Sequence, residues 1–167
     1  MAPKSRGAIA IGAWASLLVV PARAEDILSS LKAGLTVAQV HALAPAAVAG
    51  SHERLSSRAS EELRVPSIWI AGSRFEGLFY FRDNSLVEVR LRALDAARDN
   101  ETLSLTRYDD VVRKLMTAFG HPKGCQVAKN ISLFEGCEWM TAKVTVDILY
   151  LSLGGEPVLF EIVWRGR

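Results

Sequence analysis

Few residues in this chain have the type and spacing to do chemistry. Its three histidines, His41, His52 and His121, stand far apart, and neither a GxSxG turn nor an HExxH helix occurs. A nucleophile, a base and a metal set each need several groups at defined spacing, so no catalytic residue, metal ligand or cofactor motif is identified, and the chain reads as a non-enzyme. Cys125 and Cys137 are the other reactive pair. Their spacing is not CxxC, and His121 is the only imidazole nearby, so a redox couple or a metal pair has little support. Arg90 and Arg92 share one side of an alternating segment, Leu86 to Leu94, with Glu88 between the valines. Such a pair could meet an acidic partner, and it is the candidate binding site. An ordinary solvated sheet face would show the same pattern.

The amino terminus sets the compartment. Lys4 and Arg6 precede an apolar run from Ala8 to Val20, and Ala22-Arg23-Ala24 follows as a small-x-small pattern. This is the tripartite layout of a secretory signal over residues 1–24, with cleavage expected before Glu25. The apolar run is shorter than the ~20 residues a spanning helix needs. No cysteine follows the cleavage position to take a lipid, so no stable membrane anchor is expected. The mature protein is expected in a periplasm or outside the cell, where a cysteine pair forms a disulfide.

Removing the signal changes the charge. The full chain has 20 basic and 18 acidic residues, a formal charge of +2. Without Lys4, Arg6 and Arg23, 17 basic residues face 18 acidic ones, a formal charge of −1. The apparent basicity belongs to the signal, so nucleic acid is not an expected partner. Residues 25–167 are enough for one domain with a real core.

The clearest element is the stretch from Thr106 to Pro122. Tyr108, Val111, Val112, Leu115, Met116 and Phe119 recur with a helical period, and Asp109, Asp110, Arg113 and Lys114 take the opposite side. Thr106 is the expected N-cap, and Gly120 with Pro122 the expected stop. Upstream, Thr36 and Gln39 form a capping box with Leu35 and Val40 as its hydrophobic staple, and Pro45 limits that helix. Gly50 to Glu62 is polar and reads as a mobile loop. A short strand is expected at Ser67 to Ala71. Phe75 to Arg82 and Leu86 to Leu94 flank Asp83-Asn84-Ser85 as a hairpin, with Val87, Val89, Leu91 and Ala93 on one side. Gly124 to Val127 and Ser132 to Met140 form two arms, each holding a cysteine. Two further alternating strands surround Gly154-Gly155.

The order suggests an internal repeat by pattern, over 26–94 and 106–167. It predicts an α+β fold of two helix-plus-antiparallel-strand units, with helices packed on one face of an antiparallel sheet.

Leu31-Lys32-Ala33-Gly34-Leu35-Thr36-Val37-Ala38-Gln39-Val40 resembles the opening of a group of small exported modules. These are related to beta-lactamase inhibitor protein and to the small lipoprotein of the outer-membrane assembly machinery. Phe79 to Leu86 is similar to the strand-turn-strand that follows there. The match covers mainly the first half, and Ala42 to Pro66 is longer than the usual link. The resemblance implies a non-catalytic binding module with a protein partner and carries over no contact residue. The function expected is that of an inhibitor or envelope-assembly partner. The alternatives are a periplasmic carrier of a small apolar ligand, with its cavity between helix and sheet, and a small exported hydrolase.

Overall fold

The structure is a computed structural model describing residues 28, 30–96, 101–129 and 132–167. The segment read as an export signal, with its cleavage position, lies outside the described residues.

The strands correct the expected fold. β1 (Val48–Ala49), β2 (Ser60–Ile70), β3 (Ser73–Arg82) and β4 (Ser85–Ala93) form one meander. β5 (Gly124–Lys129), β6 (Ser132–Met140), β7 (Val144–Leu153) and β8 (Glu156–Gly166) form another. All eight join in a single antiparallel sheet of order β1-β2-β3-β4-β8-β7-β6-β5. Two helix-plus-strand units under a helical layer are therefore not what forms. The finding that overturns them is the seam between β4 and β8, where Glu88 through Arg92 pair with Arg165 through Glu161. Periodicity is local and does not record a pairing between segments so far apart.

The helices are minor by comparison. α1 (Val37–Leu43) has seven residues. Its capping box is present: Gln39 N–H donates to the Thr36 hydroxyl, and Thr36 N–H donates to Gln39 Oε1 at 2.9 Å. It stops at Ala44, before Pro45. α2 (Glu101–Phe119) begins five residues ahead of the expected cap. Thr106 lies inside it and its hydroxyl donates to the Thr102 carbonyl. At the far end Gly120 takes φ +81°, its N–H bonds to the Met116 carbonyl, and its own carbonyl accepts from the Trp139 indole at 2.9 Å.

β2 is far longer than the Ser67–Ala71 strand expected. It takes in Ser60 to Val65, whose alternating polar residues disguised it, and it absorbs Pro66 at a register shift between Val65 and Ile68. Proline lacks the N–H for a ladder bond, so a bulge is where a strand tolerates it. The hairpins β2–β3, β3–β4 and β7–β8 turn on two residues of positive φ, Ala71-Gly72, Asp83-Asn84 and Gly154-Gly155. That geometry matches the right-handed twist of the flanking strands.

One face of the sheet, here the inner face, holds the core. Phe75, Phe79, Leu91, Ile162, Trp164, Val146, Ile148 and Tyr150 are almost fully buried there. Tyr108, Val111 and Leu115 of α2 join them, with the Tyr108 ring 6.1 Å from Tyr150 and 6.0 Å from Phe160. Below Leu115 and Phe119 the remaining space is about 10 Å³, room for a single water. Val87 departs from the expected alternation. A bulge between Tyr80 and Phe81 sends Leu86 into the core and leaves Val87 against Leu78, Tyr80 and Ala59.

All three tyrosines of the chain, Tyr80, Tyr108 and Tyr150, are buried. Burial pushes each phenol above its ordinary pKa. The raised values mean that the neutral form is favoured in the folded state. This contribution to stability is present below about pH 10 and is lost as pH rises toward the folded values. Tyrosinate absorbance should therefore stay flat through about pH 10, then rise in one step together with loss of the far-ultraviolet dichroism. A tyrosine that titrates near pH 10 in the folded protein would contradict its burial.

Candidate functional site

The opposite, outer face of the sheet carries the charges that alternation puts there. Arg90 and Arg92 both lie on it, in β4, and both are paired. Arg90 Nε donates to Glu88 Oε1 at 2.6 Å, and its guanidinium sits 5.6 Å above the Tyr80 ring. Arg92 Nε donates to Glu161 Oε1 at 3.1 Å, across the seam. Arg165 extends the network: Nε donates to Glu88 Oε2 at 3.1 Å and Nη1 to Asp147 Oδ2 at 2.5 Å. A ladder of alternating sign thus crosses three strands, from Arg90 through Glu88 and Arg165 to Asp147. Glu88 and Glu161 are buried, and their arginines are what make that burial acceptable.

A second cluster sits on β2 and β3. Arg64 donates to both oxygens of Glu61 and to Glu76 Oε1 at 3.1 Å. Glu61 is fully buried. Burial pushes its carboxyl up, but the hydrogen bonds from Arg64 and Ser51 outweigh that and hold it below the usual carboxylate value.

The stretch expected as a mobile loop, Gly50 to Glu62, is pinned to this cluster. Gly50 N–H donates to the Glu62 carbonyl, His52 N–H to the Glu61 carbonyl, and the Ser51 hydroxyl to Glu61 Oε2 at 2.6 Å. A Cβ at position 50 would stand 2.5 Å from the Glu61 carbonyl oxygen, so glycine permits this approach. Leu55 and Ala59 then cover Leu78 and Tyr80 on the outer face. The first meander is thus capped on that side by its own chain.

The second meander is open there. Between β5, β6 and β7 lies a hollow of about 350 Å³ around Gly136, with Phe134, Leu149, Glu138 and Asp147 among its lining residues. Sequence reading missed it. Gly136 is an unremarkable glycine until β5 and β7 are placed on either side of it.

The other residues singled out are scattered. His41 is exposed on α1, His52 lies with Nδ1 3.2 Å from Glu62 Oε2, and His121 is exposed just beyond α2. Among the described residues no three histidine, cysteine, aspartate or glutamate side chains gather as a metal site. Cys125 and Cys137 are bonded to each other and lie directly opposite on β5 and β6. The Tyr108 hydroxyl stands 3.6 Å from Cys137 Sγ, which places the disulfide on the inner face, behind the hollow. Among the described residues no helix is long and apolar enough to cross a membrane.

Comparison with protein-family models, curated proteins and solved structures finds no match, so the functional reading rests on the residues themselves.

Proposed function

We propose that this chain is an exported, non-catalytic protein-binding module that acts through the outer face of its sheet, as an inhibitor or an envelope-assembly partner. The observation that carries the reading is the asymmetry of that face. Over β1–β3 it is covered by residues of the chain itself, whereas from β4 to β5 it presents a charge ladder and an open hollow. Export is supported by the Lys4-Arg6 region, the apolar run to Val20, the Ala22-x-Ala24 pattern and the disulfide. The resemblance of Leu31 to Val40 to small exported modules points the same way.

The test places a photoreactive residue at Thr145, on the outer face, or at Arg113, on the exposed side of α2. Each chain is exported from bacterial cells under its own signal. A discrete protein adduct from Thr145, absent from Arg113, is expected. Arg92→Glu should reduce it roughly tenfold by altering charge complementarity. The double change Arg92→Glu with Glu161→Arg restores the internal ion pair, so a persistent loss there separates recognition from misfolding. Equal labelling from both sides, or no adduct, would overturn the proposal.

A further inference from the structure

The hollow at Gly136 has two unlike ends. Gly136 brings no side chain to the middle of β6, and its register partners are Gln126 on β5 and Leu149 on β7. Phe134 and Leu149 make one end apolar. Glu138 and Asp147, directly opposite each other across β6 and β7, make the other end acidic. Among the described residues no lysine or arginine lines it. A Cβ at position 136 would stand 3.2 Å from the Phe134 ring and 3.3 Å from the Ile148 carbonyl oxygen and from Leu149, so glycine lets Phe134 and Leu149 lie close over the strand as the apolar wall.

Three observations identify what fits. The first is charge. Two carboxylates directly opposite on neighbouring strands repel each other, and a cation between them removes that cost. Asp147 already accepts Arg165 on Oδ2, and Glu138 stands 3.6 Å from Lys123 Nζ, so an incoming cation joins an alternating lattice. The second is shape. The hollow opens along the sheet, whereas a small-ligand pocket encloses most of its guest. A side chain that enters from a larger surface matches this better than a free molecule does. The third is the mirrored strand order, in which β5–β7 correspond to β1–β3. On β1–β3 a turn closed by the Leu55 N–H to Ala59 carbonyl bond lays Leu55 and Ala59 over the outer face. On β5–β7, Phe134 and Leu149 remain part-exposed and outside the core cluster.

The geometry points to the hollow as an anchor pocket for one arginine side chain of a protein partner, which deepens the binding-module reading and rests on it. The alkyl stem packs on Phe134 and Leu149. The planar guanidinium has enough donors to reach Glu138 and Asp147 together, which a lysine ammonium does less well. Arginine is also among the residues that dominate interface energetics when they fill a desolvated pocket.

The probe is a capped Gly-Arg-Gly tripeptide, titrated into isotopically labelled exported protein and followed by amide chemical shifts. Saturable shifts at Gly124, Gly136 and Leu149 are expected. The same peptide with citrulline, neutral and nearly isosteric, should bind at least about tenfold more weakly, a difference of about 1.4 kcal/mol. Gln126→Trp, at the exposed mouth, should abolish the shifts without lowering the melting temperature. Equal binding of the arginine and citrulline peptides, absence of saturation, or full binding by Gln126→Trp would each overturn the pocket. The Thr145 adduct separates this from the broader reading. An undiminished adduct in Gln126→Trp removes the anchor and leaves the module standing. Arginine-selective binding with no adduct from wild-type protein leaves the pocket standing and removes the module.

Discussion

Leu115→Ala should destabilise the protein by about 2–5 kcal/mol, the range for a buried leucine that loses its packing. Leu115 is 2% exposed and lies on the α2 stripe with Val111, facing the sheet. The nearby void of about 10 Å³ shows that the site is already filled. Arg113→Ala is the matched control. Arg113 is exposed, and its pair is the i,i+3 contact with Asp110, so its loss should cost no more than about 0.5 kcal/mol. Denaturant midpoints at unchanged m-value measure both. Equal shifts would show that the helix faces are wrongly assigned.

Reduction of the Cys125–Cys137 bond should cost about 3 kcal/mol, as expected for a cross-link closing a loop of this size. The loss should also be local. β5 is an edge strand that pairs only with β6, and its side chains from Gly124 to Ala128 are exposed. It has little besides its ladder and the disulfide to hold it. Hydrogen exchange with and without reductant reads this directly. Residues 124–129 should lose protection while β4 and β8 keep theirs. Uniform loss across the sheet, or no change, would show that the bond does not act as the clamp of this edge.

What the residues revealed alone was whatever depends on near neighbours. The stripe of α2, the capping box at Thr36, the turns around Asp83-Asn84-Ser85 and Gly154-Gly155-Glu156 and the cysteine pair all follow from spacing of a few positions. What they hid depends on distance along the chain. The start of α2 was missed because Glu101 to Leu105 offers too few apolar positions to extend the stripe. β2 was cut short because Glu61, Glu62 and Arg64 look like loop residues until Ser51 and Glu76 approach them. The alternation of β4 places Arg90 and Arg92 on one face. Arg92 is also answered by Glu161, 69 positions away, and no local pattern specifies that. The fold class failed for the same reason, since the seam that makes one sheet joins segments from opposite halves.

That seam also shapes the route to the folded state. Within each meander the hairpins close over a few residues, so each step gives up little chain entropy before it gains contacts. Between β4 and β8 the chain must bring together Glu88 and Arg165, 77 positions apart. The entropy of closing a loop rises slowly with its length, but at this junction nearly all of it falls due at once. The long-range component of the contact order, and with it much of the folding barrier, is concentrated in a few cross-strand pairs at the centre of the sheet. The residues that most govern the folding rate are therefore expected at this central seam, away from the edge strands whose loss would be felt first in the native state.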